Sequence, residues 1–437
     1  MVDATHVPRV MTSSSKVTDA FEANTRPSTV TPVCTWMDVN ARMFPMKVEV
    51  VPSVAELPTC QKTLQACAPP RRLTTLSYPP QATVDGWWSP MSRSGPIRGS
   101  EWALTGSPRE RVLDRHDGIA VTGGLGFVGR HLVRALLEQG KRVVVLDRRP
   151  PRDSDPDTGT QYRLVDVREH RSARDALTGV DLLFHLAANA NGTYSVEHPR
   201  EDFQTNCVGT FNVLQAALEA GVRRVVYVSS ASVYGQPQRF PVNESHPTVP
   251  IVPYGASKLA GERFGLAFRH SYGLDFVAAR PFCVYGPGED PATSLVEVSR
   301  YLRWHLNGRP IQIVGDSERK TRDFVHVSDA VAGLLAIAER AQPGEIFNVG
   351  SGTEVSMREL AERIQRVAGG TARVHELADI QDDTYRLVAD ISGLRRLGYV
   401  PGVPLDEGIA DLMEELGERP ELPMGATIFR PGQKAEE

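Results

Sequence analysis

From Gly118 onward, short apolar runs alternate with longer amphipathic stretches. Residues 119–122, 142–147, 181–187, 224–229 and 275–281 are dominated by Val, Ile, Leu, Phe and Ala and read as buried strands. Between them, residues 128–139, 210–220 and 254–270 repeat apolar side chains at helical spacing. Strand–helix alternation of this kind predicts an α/β fold of the Rossmann type, a doubly wound parallel sheet with helices on both faces. After Pro281 the rhythm loosens. Helical patches at 295–306, 329–339 and 357–367 are separated by Gly/Pro turns and short strands, which predicts a smaller C-terminal α/β lobe. There is no internal repeat.

Before residue 115 the pattern is lost. Prolines recur every few residues among Ser and Thr, and no amphipathic run is long enough to offset its ordering entropy. Residues 1–115 are therefore expected to be a disordered extension, although four of the five tryptophans (Trp36, Trp87, Trp88, Trp102) fall there. The expected organisation is that extension, a sheet domain over 116–290, the smaller lobe mainly over 291–420, and a tail over 421–437.

Composition narrows the function. With 41% apolar and 23% charged residues, the 437-residue chain can build a sizeable core without disulfide or metal staples. A net charge of −4 argues against a nucleic-acid partner and against a basic membrane-surface binder. No run approaches the roughly 18 apolar residues of a membrane span, and no secretory signal is evident. The five cysteines form no CxxC pair and are odd in number, so a reducing, cytoplasmic setting is expected and no metal site.

The first strand runs into Gly123, Gly126 and Gly129, a G-x-x-G-x-x-G turn that opens the first helix. Glycine serves a tight turn and the close approach of a pyrophosphate, while the helix N-terminus supplies free N–H groups and positive potential. The second strand ends on Asp147, about 20 residues further on, where a carboxylate binds the ribose hydroxyls of a dinucleotide. Asp147 would repel a 2′-phosphate, so NAD is favoured over NADP; Arg148 and Arg149 beside it read as solvated charge.

Tyr254 and Lys258 lie four residues apart on the helix after Pro253, hence on one face. A tyrosine needs a cationic neighbour to act as a base near neutrality, and Lys258 is of that kind. Ser230, at the end of the fourth long apolar run, supplies a hydroxyl where ligands meet an open parallel sheet. His185, at another strand end, reads as a packed core histidine, and His326 as a structural strand residue. Glu244, His246 and Arg263 read as surface or lobe residues.

Together these motifs resemble the NAD-dependent epimerase/dehydratase family of extended short-chain dehydrogenase/reductases over about residues 117–420. The resemblance extends to Asp166 and Val167, to His185–Ala188, to Asn206–Thr210, and to the segments beginning at Arg280, Arg322 and Phe347. It implies that Tyr254 is the base, Lys258 its partner and Ser230 the hydroxyl that shares the proton. For NAD it implies contacts from Gly123, Gly126, Phe127, Val128, Gly129, Asp147, Asp166, Val167, Leu186, Ala187, Ala188, Asn206, Tyr254, Lys258 and Pro281. For a nucleotide-sugar substrate it implies Ser230, Cys283 and Arg322, the last on the diphosphate. A homodimer is the expected assembly.

Two departures from the family pattern bear on the reaction. Dehydratases and decarboxylases of the family carry an acid one or two residues after the catalytic Ser/Thr, where this chain has Ala231 and Ser232. Cys283 stands where an Asn commonly contacts substrate, which removes a strong donor and acceptor. The reading is an NAD-dependent epimerase acting at C4 of a UDP-hexose. A dehydratase or net oxidoreductase on a related nucleotide sugar, or a non-catalytic dinucleotide-binding regulator, are the alternatives.

Overall fold

The computed structural model describes residues 33–36, 44–47, 113, 118–152, 160–293, 296–371, 373–379, 384–418 and 420–423. The chain divides into two units, 1–105 and 106–437. In the first, the described residues form one antiparallel hairpin, Val33–Trp36 against Phe44–Lys47. Of the rest of the extension expected to be disordered, Leu113 alone is described: it is buried in the core that holds Ile119, so the ordered part begins before residue 115, and the other residues lie outside the described ones.

The second unit begins with β1 (Ile119–Thr122), α1 (Phe127–Glu138), β2 (Val143–Asp147), β3 (Gln161–Leu164), α2 (His170–Ala176) and β4 (Leu182–His185). Then come α3 (Gly209–Ala220), β5 (Arg224–Val228), α4 (Pro253–Tyr272) and β6 (Asp275–Pro281). β7 (Cys283–Tyr285), α5 (Glu297–Leu306), β8 (Ile311–Val314), β9 (Thr321–Arg322), β10 (Phe324–His326) and α6 (Val327–Arg340) follow. The last elements are β11 (Ile346–Val349), β12 (Val355–Ser356), α7 (Met357–Ala368), β13 (Val374–Leu377), β14 (Arg386–Leu387) and α8 (Leu405–Leu416).

Seven parallel strands form the main sheet in the order β11-β6-β5-β4-β1-β2-β3. Side chains alternate between two cores. Ile119, Val121, Phe184 and Val226 enter the layer under α1 and α6, whereas Ala120, Leu183, Val225 and Tyr227 enter the layer under α2, α3 and α4. The expected strands and helices are present with ends shifted by a few residues. β3 and α2 went unpredicted because β3 is an edge strand whose side chains are mostly solvent-accessible, so it carries no buried run. β11 returns to the sheet from beyond residue 290, next to β6, so the sheet draws on both expected domains.

The smaller lobe is built from short pieces. β8 pairs with β13, β9 is flanked by β12 and β14, and β7 pairs with β10. α5, α7 and α8 cover a third core around Tyr285, Trp304, Ile313, Leu360 and Leu412. Within the main sheet, the chain leaves β1 toward β2 on one side and reaches β4 on the other, which opens a crevice at the carboxyl ends of these strands.

Candidate active site

The glycine turn occupies that crevice. Gly123 has φ +67°, and a Cβ there would stand 2.8 Å from the Ala187 backbone nitrogen. At Gly129 a Cβ would stand 2.2 Å from the Gly123 carbonyl oxygen, so α1 reaches the turn only because that atom is missing. No side chain caps α1 at Gly126, which leaves its first-turn N–H groups facing the crevice. This cradle, with a positive helix end, fits a pyrophosphate.

Asp147 ends β2 beside the turn. Its carboxylate accepts from the Leu125 N–H at 3.1 Å and the Arg149 N–H at 3.2 Å, and retains lone pairs for ribose hydroxyls. Arg149 is not solvated charge: its guanidinium folds over the turn and donates to the Leu125 carbonyl at 2.6 Å. Arg148 is exposed. Asp166 accepts from the Arg168 backbone and side chain, and Val167 is buried beside it. Leu186, Ala187 and Ala188 follow β4, and Pro281 ends β6, all partly exposed along the strand ends.

Asn206 lies at the start of the helical path toward α3. Its side chain is buried and committed inward: Oδ1 accepts from the Asn189 N–H at 2.8 Å, and Nδ2 lies 2.9 Å from Asp202, 3.0 Å from the Asn189 carbonyl and 3.0 Å from Ser257 Oγ. Asn206 sits in a π-helical stretch, Phe203–Val208, that leads into α3. The helical path therefore starts well before the residue 210 expected from spacing, and Asn206 braces the helix that carries Tyr254. His185 spends both ring nitrogens on the Thr122 and Thr210 hydroxyls; burial, with Lys258 nearby, holds its pKa down at about 3. It is the packed histidine expected. His326 caps α6, its Nδ1 against the Ser328 hydroxyl at 2.8 Å. Of the three residues read as surface or lobe groups, Arg263 is exposed, Glu244 is partly exposed and accepts from the Asn348 N–H at 2.9 Å, and His246 is buried.

Ser230, Tyr254 and Lys258 converge at the end of β5. α4 lies close to the sheet there, since a Cβ at Gly261 would stand 2.3 Å from the Tyr227 hydroxyl. Ser230 caps the short 3₁₀ turn Ala231–Tyr234 and also hydrogen-bonds the Tyr254 phenol. Lys258 Nζ donates to the Val228 carbonyl at 2.7 Å and sits 5.1 Å above the Tyr227 ring. Burial pushes the Tyr254 phenol up to about 12, opposed by the Ser230 hydrogen bond. Burial likewise brings Lys258 down to about 8, opposed by Asp202 and Glu262. The Lys258 ammonium is directed at Val228; it stays mostly charged near neutral pH, while the phenol stays protonated.

One carboxylate escaped the sequence reading. Glu262 lies one turn beyond Lys258, fully buried, so Tyr254, Lys258 and Glu262 form a single i, i+4, i+8 line on α4. Ser229 donates to it at 2.6 Å, and Arg280 grips it with Nε at 2.8 Å and Nη2 at 2.7 Å. The network continues from Arg280 Nη1 to the Tyr234 hydroxyl at 2.9 Å and on to Asn348 Oδ1 at 2.6 Å. Lys258 thus holds Val228, Glu262 holds Ser229, and Ser230 comes next. The spacing of four was the available signal; the partner on β6 was not.

Cys283 begins β7, with burial raising its thiol pKa well above the ordinary range. Arg322 ends β9, buried, across the lobe junction. Its Nη1 donates to the Thr321 carbonyl at 2.9 Å and the Tyr385 carbonyl at 3.3 Å, while Nε faces Glu297 at 3.8 Å. Among the described residues no metal-holding cluster of His, Cys, Asp and Glu occurs, and no helix is long and apolar enough to cross a membrane.

Comparison with known proteins agrees with this geometry. A UDP-glucose 4-epimerase of Mycolicibacterium smegmatis is 37% identical over 311 residues, 67% of this chain and 96% of that one. A dTDP-glucose 4,6-dehydratase of Streptomyces niveus is 30% identical over 317 residues, 68% of this chain and 91% of that one. The crystal structure of the Thermus thermophilus UDP-glucose 4-epimerase in complex with NAD superposes with a TM-score of 0.64 at 31% identity, covering 68% of this chain and 98% of that one. The profile of the NAD-dependent epimerase/dehydratase family matches residues 119–350, from β1 through β11. The chain belongs to the NAD-dependent epimerase/dehydratase family.

Proposed function

We propose that the protein is an NAD-dependent nucleotide-sugar epimerase that inverts C4 of a UDP-hexose. One observation carries the choice within the family: Ser230, Tyr254 and Lys258 gather at the end of β5, while the next two positions are Ala231 and Ser232. Elimination of water needs an acid and a second base at the sugar, and these positions offer neither. Epimerisation needs one base and a reversible hydride transfer. Bound NAD supplies the hydride acceptor and donor, held by the glycine cradle and Asp147. Tyr254 takes the C4 hydroxyl proton through Ser230, the keto sugar turns in the site, and Tyr254 returns the proton after reduction on the other face. Arg322 and the segment from Cys283 receive the nucleotide end in the smaller lobe.

Incubating the NAD-loaded enzyme with UDP-glucose should produce UDP-galactose until the two interconvert at equilibrium, without net change in reduced-nicotinamide absorbance. Stoichiometric NADH, or release of a 4-keto-6-deoxy sugar, would sink this reading in favour of the oxidoreductase or dehydratase alternative. Cofactor choice has its own test. Asp147→Ala should lower the ratio of NAD to NADP affinity at least about ten-fold, because Arg148 and Arg149 already flank the site of the 2′-phosphate. An unchanged ratio of dissociation constants would remove Asp147 from that role.

The active unit on this reading is a cytoplasmic homodimer. Phe203, Phe211, Phe264 and Tyr272 are 54%, 36%, 39% and 39% exposed, and Phe211 packs edge-on against Phe264 and Phe268 across α3 and α4. An aromatic face of this kind suits a second copy of the same helix pair. The odd number of cysteines supports a reducing compartment.

A further inference from the structure

The residue assigned to the substrate diphosphate already has an anion beside it. Glu297 is the first residue of α5, its side chain 13% exposed, and its Oε1 stands 3.8 Å from Arg322 Nε. Nη1 of Arg322 is spent on the Thr321 and Tyr385 carbonyls. Of the fork that takes phosphate oxygens in pairs, only Nη2 has no partner among the described residues.

We propose that Glu297 is an internal competitor for Arg322, which a nucleoside diphosphate must displace from Nε, so that this carboxylate sets the affinity and charge selectivity of the substrate site. The inference rests on the nucleotide-sugar reading above and assigns a residue that the sequence motifs do not contain. Glu297 is charged in this setting: burial alone would raise its pKa, but Arg322, Arg300 and Lys320 outweigh that and hold it below the usual carboxylate range. Cys283 lies within the field of both Glu297 and Arg322. The thiol there offers the ligand little hydrogen bonding, so an anion at this end meets chiefly Arg322, with Glu297, Arg300 and Lys320 in its field. A carboxylate on the first turn of a helix also favours the helix dipole, and that role alone would leave ligand affinity unaffected by its charge.

The test is calorimetric titration of UDP into the NAD-loaded full chain. Glu297→Gln should bind UDP roughly ten-fold more tightly, the order expected for removing one like charge beside a partly buried anion site. Glu297→Met, of similar length and uncharged, should do the same and guards against a folding defect in the first variant, as checked by melting temperature. Arg322→Ala should weaken UDP at least about ten-fold. If Arg322→Ala weakens UDP but neither Glu297 variant tightens it, the competitor assignment is overturned while the nucleotide-sugar reading stands. If Arg322→Ala leaves UDP affinity unchanged, the diphosphate assignment fails and the competitor falls with it. Tighter binding in the Glu297 variants together with weaker binding in Arg322→Ala supports the proposal.

Discussion

Tyr254→Phe is expected to cut turnover by about 10²–10⁴-fold while leaving NAD affinity within about two-fold, because only the proton-accepting oxygen is removed. The backbone at this position is unaffected by the change, since the Tyr254 N–H is tied to Ser195 Oγ at 3.0 Å and its neighbour Gly255 is buried. The pH dependence should separate base loss from misfolding. Burial pushes the phenol up to about 12 and brings Lys258 down to about 8, each shift favouring the neutral form. A working base must be deprotonated, so the rate should rise with pH along an acid limb that belongs to Tyr254 in the loaded enzyme. Deprotonation of Lys258 removes the cation that favours phenolate, so the rate should fall again on the alkaline side; the two groups titrate as a coupled pair. The Phe variant should lose the acid limb altogether. Near-normal turnover with the limb intact would assign the proton to another group, Ser230 being the nearest.

Much of this site was legible because its signals are local. The glycine turn, the acid at the end of the next strand and the Tyr254/Lys258 spacing each fall within one strand–helix unit, where sequence distance maps onto geometry. Ser230 was readable for the same reason, as the residue that follows an apolar run. What escaped depends on chain segments meeting from far away. Arg280 on β6 grips Glu262 on α4, and Glu297 on α5 approaches Arg322 on β9. Arg149 turns back onto Leu125 instead of into solvent. The partners of the Asn206 amide, Asn189, Asp202 and Ser257, come from other segments as well as its own turn. The edge position of β3 likewise erased the burial pattern that announces the other strands.

Glu262→Ala is expected to be the most destabilising single substitution at the site. Glu262 and Arg280 are 0% and 2% exposed, and removing the carboxylate leaves a guanidinium in the interior with only the Tyr234 hydroxyl and the Glu244 carbonyl to hold it. Breaking a buried pair in this way costs about 3–5 kcal/mol, which in a protein of this size lowers the melting temperature by roughly 10 °C. Replacing both partners, Glu262→Met with Arg280→Met, leaves no unpaired charge and should recover most of that loss. Activity should not recover with it. Ser229 would still lack its side-chain acceptor, so the strand end that presents Ser230 to Tyr254 would keep its backbone bond to Ala279 and Lys258 on Val228 but lose its tie to the Glu262 position on α4. Ser229→Ala isolates this second effect: it deletes one hydrogen bond, worth about 1 kcal/mol, and no charge. Its stability should stay close to that of the unmodified protein while kcat falls several-fold and KM for the nucleotide sugar holds. Ser229→Thr, which keeps the hydroxyl, should restore kcat. Should Ser229→Ala turn over at the normal rate, Glu262 would be part of the framework alone, and the alignment of Ser230 would belong to the helix line of Tyr254 and Lys258 without it.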